Sequence, residues 1–328
     1  MSDIDYSRYT VLKYQPDDTG NLVVGIIYAV LALYFFVAAF VSKAKWTLVL
    51  PIGAAFSAVG FFIRIPLTRY NMSLGLFIVQ QMFVVISPAA FFAFNYSLFG
   101  RWIQTIDPRF NSAARSGAYY YPTSSDTDVE LVNSARHHDG DYDKAIHESS
   151  GDGFPSSGAG SGSGGSKGLM EKSKYSFIPP RLVTRIFVCS DIVTFIVQVA
   201  AGGIQSTGDP NLVSIGDHLF LAGVAAQGAS YILFSFLVTY ALVRLVHGKQ
   251  RGFGNLSSGS KKFVYAIALS SLMIIIRSVY RIIEFAQGND GYLVSHEKYL
   301  FALDAAPLII AISVWVIVWP PRLFKSIR

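Results

Sequence analysis

This sequence predicts an all-α membrane protein of seven transmembrane helices, with the N-terminus outside and the C-terminus cytoplasmic. Three observations carry the prediction. Of the 328 residues, 52% are hydrophobic and only 15% charged, where a soluble domain carries about a quarter charged residues. The apolar residues gather into seven long runs instead of alternating along the chain. Lysine and arginine fall mostly on one side of the alternating connections, which sets the orientation.

The elements follow in order. Residues 1–21 form a polar, extracellular tail with Asp3, Asp5, Asp17 and Asp18. It lacks the apolar core of a signal peptide, so the first run is expected to stay as a membrane helix. A span needs roughly 20 apolar residues. Leu22–Val41, Trp46–Ile65 and Leu74–Phe99 meet that length and place helices 1–3 within residues 22–110. Leu182–Ile204, Leu219–Val243, Phe263–Ile283 and Tyr299–Trp319 place helices 4–7 within residues 175–328, which end in a short cytoplasmic tail. The cytoplasmic side receives Lys43, Lys45, Arg101, Arg244, Lys261, Lys262, Arg322 and Lys325, against Arg8, Lys13, Arg64, Arg69 and Lys298 outside. Pro88 is expected to kink the third helix or end its first half. Tyr96, Trp102, Trp315 and Trp319 fit interfacial belts, and Gly202-Gly203 a close approach or a helix end.

Residues 111–174 form the one long connection, read as a disordered cytoplasmic loop from its mixed charge and Gly/Ser tract. Its serines and Tyr119–Tyr121 are candidate contacts for cytoplasmic partners. Asp139, Asp141 and Asp143 imitate the start of a calcium loop, but Lys144 stands at the turn glycine and Ser150 at the twelfth position. GSGSGGSKG lacks the Gly-Lys-Ser/Thr end of a phosphate-binding loop. No metal, cofactor or ATP-driven step is therefore expected. The net charge of +6 gives no case for a nucleic-acid partner, since the basic residues collect at the ends of the apolar runs. Cys189, the one cysteine, leaves no internal disulfide and reads as a small packed side chain.

Ionisable groups at membrane depth are the candidate site, because they are costly there unless paired or wet. Asp191 lies nine residues past Arg181, about 14 Å into the bilayer. Gln198 is seven residues on and shares its face. An unpaired carboxylate at that depth takes a proton or a cation. On the sixth helix, Arg277, Arg281 and Glu284 share one face at i, i+4 and i+7. Arg277 is about 12 Å and Asp304 about 9 Å from the outer end of the last hairpin. Similar depth pairs Arg277 with Asp304. Arg281 sits higher and is expected to meet Glu284, or Glu297 across the hairpin. Gln80 and Gln81 read as interhelical hydrogen-bond partners. The linker GNDGYLVSHE should be a tight outer turn, with His296 and Glu297 too few for a metal site.

RSVYRIIEFAQGNDGYLVSHEKYLFALDAAP, with PRLVTRIFVCSDIVTFIVQVAAGGI and LGLFIVQQMFVVISPAAFFAFNYSLFGR, resembles the fungal lipid-translocating exporter (RTA-like) family. The resemblance maps family features onto Gln80, Pro88, Tyr96, Asp191, Gln198, Gly203, Arg277, Arg281, Glu284, Gly291, Tyr292, His296, Glu297 and Asp304, and keeps Arg64. Where the family carries a glutamate in the second helix, this chain has Ser57. What the resemblance implies is a plasma-membrane protein that exports an amphipathic lipid such as a sphingoid base or aminosterol. In that reading Asp191 or Asp304 meets a cationic amine, and the arginines hold a second carboxylate or a phosphate. The competing reading is a seven-helix lipid sensor that signals through residues 111–174. An intramembrane enzyme has the least support, since no nucleophile–base spacing appears at depth.

Overall fold

The computed structural model describes residues 17–69, 74–106, 179–205, 207, 209–247, 257–288, 291–293 and 296–327. The connection 111–174, the first sixteen residues and the Asn71-Met72-Ser73 sequon lie outside them. Every regular element among the described residues is helical. Seven helices are long and apolar enough to cross a bilayer.

Helix α1, Asp18–Val41, starts where the Asp17 carboxylate accepts the Thr19 N–H at 3.0 Å and caps the first turn. It ends at Ser42, and Lys43 turns the chain through φ +50° into a short 3₁₀ turn, Lys45–Leu48. Next come α2, Val49–Arg69, and α3, Leu74–Ile106. Beyond the long connection are α4, Pro180–Gln205, and α5, Pro210–His247. Helix α6, Ser258–Ala286, is capped by Ser257, whose hydroxyl accepts the Ser260 N–H. It closes on Gly288, which adopts the left-handed φ of +66° that favours glycine after a helix.

The last span, α7, is compound. It starts at Glu297–Tyr299, runs through a π-helical stretch, Leu300–Ala305, and continues as Ala306–Ile317. Pro307 accounts for the stretch. It has no N–H to donate, and its ring would press on a carbonyl four residues back, so the preceding turn opens. The Tyr28 hydroxyl donates to the Ala305 carbonyl at 3.2 Å, tying that turn to α1. A last helix, α8, Pro320–Ile327, occupies the expected tail. Its Leu323 and Phe324 pack on the core.

Each helix packs on the next, and α7 closes back on α1, so the bundle is a closed ring. Pro88 does not end α3, which is helical throughout. The Val84 carbonyl that the proline leaves without its usual donor has the Ser87 hydroxyl 3.5 Å away. Tyr96, Trp102, Trp315 and Trp319 are buried and do not form interfacial belts. They stack across helices instead, with Tyr96 on Phe234 at 4.6 Å and Trp102 on Phe263 at 5.1 Å. Helix α5 begins nine residues before the expected Leu219, so only a few residues connect it to α4. Close approach of α4 and α5 comes from Gly216 and Gly223. A Cβ on Gly223 would lie 2.7 Å from Gln198 Cγ, while a Cβ on Gly202 or Gly203 would meet nothing within 4 Å.

Candidate functional site

The polar residues of the spans assemble into three groups along the bundle. One, near the start of α7, joins α6 and α7. The Asp304 carboxylate accepts two parallel bonds from Arg281, Nε to Oδ1 at 2.6 Å and Nη2 to Oδ2 at 2.7 Å. That is the bidentate fork in which arginine binds carboxylates most strongly. Arg281 Nη1 also donates to Glu284 at 3.0 Å, and the Tyr280 hydroxyl donates to the other Glu284 oxygen at 3.1 Å. The Arg277–Asp304 contact expected from depth is present, Nε to Oδ1 at 3.0 Å, though its angle is not that of a hydrogen bond. Arg281 therefore meets Asp304 and Glu284, not Glu297. The two arginines stand one turn apart on α6, and Asp304 projects between their levels.

Glu297 has other partners. It accepts the Asp17 backbone N–H at 2.6 Å and the Asn21 amide at 2.8 Å, and pairs with Arg64 at 3.5 Å. It thus fastens the starts of α1 and α7 to the C-terminal part of α2. Beside it, Gly291 is buried in the turn, and Tyr292 is exposed with its ring 4.3 Å from His296. His296 Nδ1 lies 2.9 Å from the Tyr292 carbonyl. The hydrogen bond Tyr292 shares with Tyr299 holds its phenol above the ordinary range. Among the described residues no three His, Cys, Asp or Glu side chains converge as a metal would require.

The middle group lines a cleft between α3, α4, α5 and α6. Gln81, Gln198, Gln227, Arg277, Ser278 and Arg281 supply its polar wall, with Val84, Pro88, Phe92 and Phe285 on the apolar side. Gln198 Nε2 donates to Gln227 Oε1 at 3.3 Å. The volume is about 30 Å³, room for a water or two and far below the several hundred Å³ of a typical ligand pocket. Gln80 is buried but does not line this cleft; its neighbour Gln81 does.

The third group surrounds Asp191 on α4. Its carboxylate is 3% exposed, and neither oxygen has a hydrogen-bond partner among the described residues. The Tyr96 phenol lies beside it, buried and outside hydrogen-bonding geometry. Close by, Asn95 donates to Tyr231 at 2.8 Å and to Ser270 at 3.1 Å, and Tyr231 donates to Ser271 at 3.2 Å. Asn95, Tyr231 and Gln227 are site residues that depth arguments pass over. Gln227 carries the clearest signal, as an amide inside an apolar run.

Buried ion pairs, a cleft of amides and an unpaired carboxylate inside seven apolar helices define an integral, multi-pass membrane protein with a polar interior. The family described as RTA1 like protein matches residues 50–122 and 168–327, and the chain belongs to that family. Its relatives in Saccharomyces cerevisiae include Protein RTM1, 30% identical over 45% of this chain and 47% of the relative. Protoporphyrin uptake protein 1 is 34% identical over 44% and 46%, and the sphingoid long-chain base transporter RSB1 is 32% identical over 47% and 49%. The match thus spans about half the length of each relative. No solved structure matches the chain.

Proposed function

We propose that this protein moves amphipathic lipids with a cationic head across the plasma membrane, with its N-terminus outside and its C-terminus in the cytoplasm. The observation that carries the reading is the contrast between the two interior aspartates. Asp304 is fully engaged by Arg281 and Arg277. It cannot receive an amine without releasing two buried arginines, a loss of about 3–5 kcal/mol. Asp191 has no such partner among the described residues. A buried carboxylate is tolerated when it meets a cation or holds a proton, and the amine of a sphingoid base or aminosterol meets that need.

The family membership and the relative named for sphingoid base transport support this class of substrate. The cleft is too small for a lipid, so the arrangement corresponds to a closed state that the bundle must open to move cargo. The sequence carries no phosphate-binding loop, and movement in this reading is downhill or proton-coupled through Asp191. The test is efflux of a fluorescent long-chain base from cells that carry the protein. Asp191→Asn should lower efflux at least tenfold at equal expression, with Asp191→Glu retaining part of it. Unchanged efflux in Asp191→Asn would remove the residue from the mechanism.

A further inference from the structure

Arg277 is the interior cation with the least to do. It is 7% exposed, yet its guanidinium makes one misaligned contact, to a carboxylate that Arg281 already holds with two bonds. No other hydrogen bond or ion pair from Arg277 occurs among the described residues. An arginine presents five N–H donors in a fixed fork, and a buried donor without an acceptor costs free energy. The side chain lines the cleft between α3, α4, α5 and α6. In the same wall, Gln227 has spent its oxygen on Gln198, which leaves Gln227 Nε2 as a buried donor and Gln198 Oε1 as a buried acceptor. Exchanging O for N in both amides leaves one donor and one acceptor again. Several unfilled donors and one acceptor thus converge on a space of about 30 Å³.

From this we infer that the cleft, which must widen as the bundle opens, is a headgroup subsite for an anionic amphiphile, one carrying a carboxylate or a phosphate monoester. The anionic oxygens take the Arg277 fork and the free glutamine N–H, the same geometry in which arginine binds these groups bidentately. A lipid is the source rather than a free anion, because the lining also includes Val84, Pro88, Phe92 and Phe285 within the spanning part of the helices. The subsite is separate from Asp191. Gln198 is seven residues, or about 10 Å, further along α4, so one compact head touches one group at a time. The bundle accordingly offers two stations of opposite preference, a carboxylate for cations and a guanidinium for anions.

The inference rests on the reading of the bundle as a lipid carrier, but binding can be measured without flux, so the two fail separately. Purified full-length protein in maltoside micelles is titrated with hexadecyl phosphate, hexadecanol and inorganic phosphate, and affinity and melting temperature are followed. Hexadecyl phosphate should bind at least tenfold tighter than hexadecanol, with inorganic phosphate weaker than both. Arg277→Gln should abolish the preference, Arg277→Lys should keep part of it, and Gln227→Leu should weaken it. Asp304 keeps its Arg281 fork in Arg277→Gln, so that variant should remain folded, and its unliganded melting temperature checks this. Equal binding of phosphate and alcohol, or an undiminished preference in a folded Arg277→Gln, overturns the subsite. Inorganic phosphate binding as tightly as the alkyl phosphate overturns the lipid source. Amine efflux that is absent, or that is unchanged in Asp191→Asn, with alkyl phosphate binding intact would defeat the transport reading alone.

Discussion

Asp191 and Asp304 are both aspartates buried on spanning helices, and their surroundings are opposite. Asp304 is held by two arginines. Replacing it with Asn should cost about 3–5 kcal/mol, since Arg281 and Arg277 lose their shared anion and the fork loses one of its two acceptor oxygens, and a melting curve in detergent should show a large drop. Arg281→Leu with Asp304→Leu should cost less than the two single losses added together, which a double-mutant cycle would read as coupling. Asp191→Asn should behave the other way. It removes an unpaired buried carboxylate, so the melting temperature should stay level or rise while amine efflux falls. A melting temperature that fell in Asp191→Asn as far as in Asp304→Asn would mean Asp191 has a structural partner after all. The sequence made both residues visible, because a carboxylate in an apolar run stands out. It did not tell them apart. Depth matched Arg277 with Asp304 but could not show that Arg281, one turn higher, holds the stronger bonds.

At the level of elements, the seven spans were legible from run length alone, and their ends were less so. Helix α5 carries Asp217 and His218 inside its first turns, and charge there disguises the helix start. Gln205 donates to Asp217 at 2.8 Å across the α4–α5 turn, which shows why a carboxylate is tolerated at that height. The π-helical stretch of α7 left only Pro307 as a sign. It decides where Asp304 points, because each extra residue in a turn rotates the two flanking helical segments by about 100° relative to one another. Deleting Ala302 should close the stretch into ordinary helix and swing Asp304 away from α6, with a loss of stability like that of Asp304→Asn. Glycine contacts were also hidden, since only the packed partner tells Gly223 from Gly203. Gly223→Val should force α5 off Gln198 and destabilise the bundle by about 1–3 kcal/mol. Gly203→Val, whose Cβ would enter open space, should change the melting temperature little.

Across the whole molecule, the polar groups form a sequence of stations inside a ring of helices whose outer faces, α1 above all, are apolar and exposed. From the Glu297 end of the bundle, the latch comes first, the Arg281–Asp304 fork and the glutamine cleft share Arg281, and Asp191 lies seven residues from Gln198 along α4. Such an order suits passage of a polar head through the interior while the tail stays in lipid. It suits a sensor less well, because a sensor needs one ligand site and an output segment. Removing residues 112–172 separates the readings: efflux should persist in a carrier and the output should vanish in a sensor. The most direct measurement is flux in proteoliposomes of the purified protein, with a fluorescent sphingoid base compared against its neutral N-acylated counterpart. The account predicts protein-dependent movement of the base alone, lost in Asp191→Asn at unchanged melting temperature. Binding of the base without movement, under proton gradients of either sign, would contradict it.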